Sequence, residues 1–202
     1  MKDVRDDLSN ADWVSVKVDA ISQDIWSKVN RAHGTLNLDK ILQGILDFSH
    51  DFKGEMSTES MLIQNVNDSY DEIEKIADFI EKLNSKKSYI SIPTRPPAEK
   101  WVAPADEFDI NMAYQVFKER CIDVELITGY EGNAFAFTGD VEKDLLSITS
   151  VHPMRQDGVR KLLSKAKADW DIIKNLIKED KLAEVKYKDK KFYVRKLPIK
   201  NK

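Results

Sequence analysis

Between residues 13 and 93 the chain alternates two hydrophobic periods, and few folds accept that order. Residues 13–20 (WVSVKVDA) alternate strictly. Val14, Val16 and Val18 share one face, and Ser15, Lys17 and Asp19 share the other, the pattern of a β-strand rich in β-branched residues. Residues 22–28 read as a short helix with Ser22 at its N-cap. Residues 38–52 carry Leu38, Ile41, Leu42, Ile45 and Phe48 at helical spacing, and Gly54 follows as a stop. A second strand is predicted over 55–66, a helix over 71–83 with Ile73, Ile76, Ala77 and Ile80 inward, and a third strand over 88–93. Strand, helix, strand, helix, strand is the βαβ rhythm of a parallel sheet, so the fold class is α/β. Ligands of such sheets sit at the carboxyl ends of the strands. That rule singles out Lys17, Asp19, Arg31, His33, Glu59, Met61 and the stretch from Pro93 to Arg95.

The pattern then changes. Residues 99–106 read as a linker and lid carrying Trp101 and Pro104. A helix is predicted over 109–121 and a short strand over 123–126. From Asp140 three helices are predicted, over 141–147, 156–165 and 170–179. Strands over 182–187 and 191–196 follow, joined by a Lys188-Asp189-Lys190 turn. Three helices and a basic hairpin describe a winged helix. The expected organisation is a sheet region over 1–105, a connecting region over 106–139 and a winged-helix-like basic domain over 140–202.

Charge divides along the same line. Residues 1–149 hold 28 acidic side chains against 16 basic, whereas residues 150–202 hold 7 against 16. A basic block on an acidic body points to a polyanion, and tRNA or DNA is the expected partner of residues 150–202. The second helix of the pair, 170–179, would be the recognition helix. Lys174, Lys178, Lys188, Lys190 and Lys191 would meet phosphates. A solvated lysine-rich face is the competing reading of the same residues. No stretch approaches the ~18 apolar residues of a membrane span. The chain holds one cysteine, Cys121, which excludes an internal disulfide and reads as a small buried side chain. A cytoplasmic protein without membrane contact is expected.

Several segments carry a resemblance. WVSVKVDA followed by NRAHG (30–34), TESMLIQNVND (58–68) and YISIPTRPPAEKW (89–101) resemble the fourth, fifth and sixth strands of a radical SAM barrel with their loops. GYEGNAFAFTGD (129–140) and DLLSITSVHPMR (144–155) resemble a C-terminal extension of archaeal-type radical SAM Fe–S oxidoreductases, broadly related to tRNA wyosine synthases. The resemblance implies an S-adenosylmethionine (SAM) pocket. Ser15, Lys17 and Asp19 would face the methionyl carboxylate and ribose. Asn30, Arg31 and His33 would close the site, and Glu59 or Met61 would join from the next strand. Backbone near Pro93 would meet adenine, and Arg95 would hold an anionic group.

The family's CxxxCxxC loop, which ligates a [4Fe–4S] cluster, is absent, as are the first three strands. One cysteine with His33, His50 and His152 cannot replace three thiolates. The expectation is the C-terminal half of a radical SAM barrel, with the cluster supplied by a missing N-terminal half. Pairing of strand 13–20 with that half, or self-association through it, is expected to cover the exposed edge. A fragment, a split subunit and an inactive remnant remain open, as does a non-catalytic module that binds nucleic acid or protein.

Overall fold

The computed structural model describes residues 2–120, 122–129, 135 and 137–196. Cys121, residues 130–134 and 136 and the last six residues lie outside them, and so do the expectations placed there. The described chain forms two compact units: Met1–Pro93 with Glu99–Thr128, and Thr94–Ala98 with Gly129–Lys202.

The first unit is an α/β sheet. Its strands are β1 (Trp13–Lys17), β2 (Glu55–Met61), β3 (Lys87–Ser91) and β4 (Val124–Ile127). They are parallel and lie in sequence order. A short helix α1 (Lys2–Leu8) precedes β1; α2 (Gln23–Asn30) and α3 (Leu38–Asp51) link β1 to β2. α4 (Tyr70–Glu81) links β2 to β3, and α5 (Glu107–Glu119) links β3 to β4. The sequence reading placed α5 and β4 in a connecting region, whereas they complete this sheet.

Successive strand side chains point to opposite faces, and Cα partners in neighbouring parallel strands share a face. Val14, Val18, Met56, Ile90 and Val124 enter the apolar clusters built with Phe48, Ile73, Ile76, Ile80, Ala113, Val116 and Phe117 of the helices. Thr58 and Ser88 on that face are wholly buried, and the Thr58 hydroxyl donates to Ser88 Oγ at 2.7 Å. The other face carries Ser15, Lys17, Ser57, Glu59, Tyr89, Ser91 and Glu125 by register. No side chain of this second face enters any apolar cluster. Parallel sheets are normally covered on both faces or closed into barrels. This one is covered by apolar packing on one face and polar on the other.

Two local features set the geometry at the sheet's start. A Cβ on Gly54 would meet Asp12 O at 2.6 Å and Ala11 O at 2.9 Å. Only glycine lets the chain pass there and open β2, where Glu55 N–H donates to Asp12 O at 2.9 Å. Ser22 occupies the N-cap of α2 without capping it through its side chain. Instead Glu72, 1 % exposed on α4, accepts from the backbone N–H of Ile21 and Ser22 at 2.7 and 2.8 Å and from the Ser22 hydroxyl at 2.5 Å.

The second unit runs α6 (Val141–Val151), β5 (Met154–Arg155), α7 (Gln156–Ala166), α8 (Asp171–Lys178), β6 (Leu182–Tyr187) and β7 (Lys190–Arg195). Its antiparallel sheet has the order β5-β7-β6. Leu145, Met154, Val159, Leu162, Leu163, Ile173, Leu176, Leu182 and Tyr193 form its core. Strand β5 was absent from the sequence reading: two residues carry no periodicity, and only pairing with β7 makes them a strand. Lys188 and Asp189, at φ 44° and 58°, turn the hairpin.

Candidate functional site

The polar face of the first unit concentrates its charge at the carboxyl ends of β1 and β2. Register sets Lys17 opposite Glu59 and Ser15 opposite Ser57. Lys17 Nζ lies 3.3 Å from Glu59 Oε1 and 3.5 Å from Asp19 Oδ1. The Ser91 hydroxyl on β3 donates to Glu59 Oε1 at 2.9 Å. Lys17 and Glu59 keep 44 % and 33 % of their side-chain surface open, so their pair adds at most about 1 kcal/mol of stability. Both stay accessible to a ligand.

Asp19 is different in kind. Its side chain is 2 % exposed. Oδ1 accepts from Met61 N–H at 2.9 Å, and Oδ2 accepts from Asn30 Nδ2 at 3.0 Å. A buried carboxylate needs such donors to offset its lost hydration. Asp19 thereby ties the ends of β1, β2 and α2 together. Asn67, wholly buried, repeats the device one layer deeper. Its Nδ2 donates to Asp19 O and Met61 O, both at 2.8 Å, and its Oδ1 accepts from Ile63 N–H at 2.7 Å.

The structure thus gathers Lys17, Asp19, Asn30, Glu59 and Met61, with Ser15 exposed on the same sheet face. Arg31 and His33 engage other partners. Arg31, in the left-handed region at φ 47°, donates to Glu99 Oε1 at 2.5 Å. His33 Nδ1 lies 2.9 Å from Thr35 Oγ1. Beside Arg31, Lys28 Nζ sits 5.0 Å from the centre of the Trp101 ring. These contacts fasten residues 99–101 to the end of α2, along the stretch read as a lid. Pro93 is buried just past β3. Arg95 belongs to the second unit, where its Nη1 lies 2.7 Å from His152 Nδ1.

Sequence reasoning missed Asn67, Glu72, Ser57 and Ser91. Asn67 stands in an Asn-Asp-Ser run with the composition of a turn, and Glu72 is not among Ile73, Ile76, Ala77 and Ile80, the buried face predicted for its helix. Trp13 Nε1 donates to Ser57 Oγ at 3.2 Å, a contact that strand alternation alone could have placed on this face.

An accessible cation and anion 3.3 Å apart, flanked by hydroxyls, match the ammonium and carboxylate of an amino-acid head group. The same residues do not suit an iron–sulfur cluster. Among the described residues no three His, Cys, Asp or Glu side chains group so as to hold a metal ion. Cys121 is the chain's one thiol.

The four-stranded parallel sheet with its helices has a fold similar to that of radical SAM domains. A radical SAM methyltransferase from Sphaerobacter thermophilus superimposes with a TM-score of 0.53 at 19 % identity, over 65 % of this chain and 39 % of that one. No family model matches the chain. In sequence it is similar to the UPF0026 protein MJ1312 of Methanocaldococcus jannaschii, with 39 % identity over 203 residues, all of this chain and 63 % of that protein. It is also 35 % identical over 97 residues, 48 % of this chain and 31 % of the relative, to a UPF0026 protein of Helicobacter pylori strain J99. The chain therefore spans less than two thirds of the length of these relatives. Among the described residues no helix is long and apolar enough to cross a membrane.

Proposed function

We propose that the chain supplies the C-terminal part of a radical SAM site, with its polar sheet face holding part of S-adenosylmethionine. The observation that carries this is the Lys17–Glu59 pair on the open face of a sheet whose other face is fully packed. Lys17 would meet the methionyl carboxylate as a point charge, and Glu59 the α-ammonium. Asp19, Asn30 and Asn67 would position both by fixing the strand ends. Ser15 and Met61 would border the same cavity, and backbone near Pro93 would approach the adenosine side. Arg31 and His33 would close the pocket from the α2–α3 turn. SAM, when bound beside a [4Fe–4S] cluster, supplies radical chemistry; the cluster's thiolates must come from outside these 202 residues. An N-terminal half-barrel pairing with β1 would supply them, and an oxidoreductase-like enzyme would result only from the two parts together.

Calorimetric titration of SAM into the chain tests the reading. Saturable binding that weakens about tenfold or more in Lys17→Ala and Glu59→Gln is expected, the effect of losing a charge-assisted contact. Binding that neither substitution alters would refute it.

A second reading is favoured by one observation, the α6-β5-α7-α8-β6-β7 order with sheet order β5-β7-β6. We read that order as a winged helix, a class of domain that docks macromolecules. In this reading the second unit recruits the partner or substrate whether or not the sheet unit is active.

A further inference from the structure

The positive charge of the second unit is not spread evenly over its surface. Of its twelve described lysines five face a carboxylate, whereas Lys143, Lys178, Lys188 and Lys190 and the three at α7 do not. Lys174 pairs with Asp171, Lys181 with Glu179 and Glu142, Lys186 with Asp189, Lys191 with Glu184, and Lys196 with Asp180. Helix α8, the expected recognition helix, is flanked by Asp169 and Asp171 at its start and by Glu179 and Asp180 at its end. Those acids would repel phosphates approaching either terminus.

Helix α7 differs. Arg160, Lys161, Ser164 and Lys165 are exposed on the side of α7 opposite Val159, Leu162 and Leu163, which enter the core. Lys167, in the left-handed cap at φ 53°, extends the row. Among the described residues none of these four cations forms an ion pair. The acid near the start of α7, Asp157, is taken by Arg155. Asp169, two residues beyond Lys167, makes no ion pair with it. The helix dipole accounts for cations in the last turn, such as Lys165 and Lys167, but not for Arg160 and Lys161. Arg160 Cζ also sits over the Trp170 ring, 5.0 Å from its centre. This cation–π contact holds the guanidinium near one place, which lowers the ordering cost of a contact to a phosphate.

We propose that the α7 face of Arg160, Lys161, Lys165 and Lys167 binds the phosphate backbone of a nucleic acid, duplex DNA or folded RNA, with little dependence on sequence. This rests on the docking-module reading of the second unit and is independent of the SAM site. Four closely spaced cations suit a continuous row of phosphates. A free nucleotide would engage only one or two of them.

The test is fluorescence anisotropy of the whole chain with a labelled 20-base-pair duplex and a labelled RNA hairpin, each over a salt series. Binding should weaken steeply between about 50 and 200 mM salt. Lys161→Ala/Lys165→Ala should lower affinity about tenfold or more and reduce the slope of log K against log salt by about 2, with unchanged circular dichroism. Lys174→Ala/Lys181→Ala, the same loss of charge at acid-paired positions, should change affinity far less. Stronger binding to the hairpin than to the duplex would assign the partner as RNA, and the reverse as DNA. Three results would overturn the proposal. One is equal losses in both double variants, which leaves nucleic-acid binding intact but removes it from α7. Another is salt-independent or absent binding to both probes, which removes the nucleic-acid partner. The last is binding only to phosphatidylserine vesicles, which assigns the face to a membrane surface.

Discussion

Asp19, Asn67 and Glu72 each place a polar group in the interior where it has specific donors or acceptors, and each holds together segments distant in sequence. Losing one partner leaves the others buried and unsatisfied, at about 1–3 kcal/mol per group. Glu72→Ala is therefore expected to destabilise the chain by about 1–3 kcal/mol in urea unfolding, because Ile21 and Ser22 lose the acceptor of their N–H groups. Burial pushes the Glu72 carboxyl up, but the Ser22 hydroxyl, the Ser22 and Ile21 amides and Lys75 outweigh it and hold it below the usual glutamate range. A depressed carboxyl adds stability above its unfolded value and loses it as pH falls through the folded one. The wild-type chain should thus lose stability below about pH 4.5 more steeply than Glu72→Gln. A parallel acid limb in both proteins would contradict that assignment. Gly54→Ala should be at least as costly as Glu72→Ala, since its methyl would press on two backbone oxygens. At this scale the sequence was legible where strand alternation alone sets which face a side chain takes, as for Lys17 and Glu59. It was illegible where the partner came from another element. Nothing in the run around Asn67 signals that its amide would bridge β1 and β2.

Among the elements, β1 is one of the sheet's two edge strands, with β4 at the other edge. The bond from Val18 N–H to Glu59 O sets the even-numbered amides of β1 towards β2. The odd-numbered amides, Ser15 among them, therefore face the open edge. A groove of about 410 Å³ runs beside it, lined by Val4, Leu8, Val16, Ile41, Ile45 and Phe48. An edge of this kind invites another strand. The isolated chain is expected to self-associate with rising concentration in sedimentation velocity, and Ser15→Pro, which removes an outward donor without costing a bond to β2, should suppress it. A monomer at every concentration whose β1 amides resist hydrogen exchange would contradict the open-edge reading. The β6–β7 hairpin gives a second expectation. Lys188 and Asp189 occupy a two-residue turn with both φ positive, where Asn-Gly is preferred. Replacing them with Asn-Gly should raise stability by about 0.5–1 kcal/mol in thermal unfolding. The helices and strands were largely legible from period alone, to within a few residues. The second strand was not: its predicted run to residue 66 stops at Met61, because Asn67 turns the chain and captures Ile63.

For the whole molecule, the telling property is asymmetry. One face of the parallel sheet is closed by α3, α4 and α5, and the other presents compensating charges at the strand ends. The second unit has its own core, and helix α7 presents four cations without an ion pair among the described residues. The alternation of Val14, Val16 and Val18 with Ser15, Lys17 and Asp19 already contained the first asymmetry, but periodicity cannot tell a wet face from a pocket wall. The chain spans 63 % of the length of one relative. The most direct test is the map of backbone amide shifts in an isotope-labelled chain as SAM is added to millimolar concentration. Perturbations are expected at residues 15–19, 30–33 and 59–61 and just past β3. No saturable change there, or changes confined to α3, α4 and α5, would contradict a SAM site on the open face.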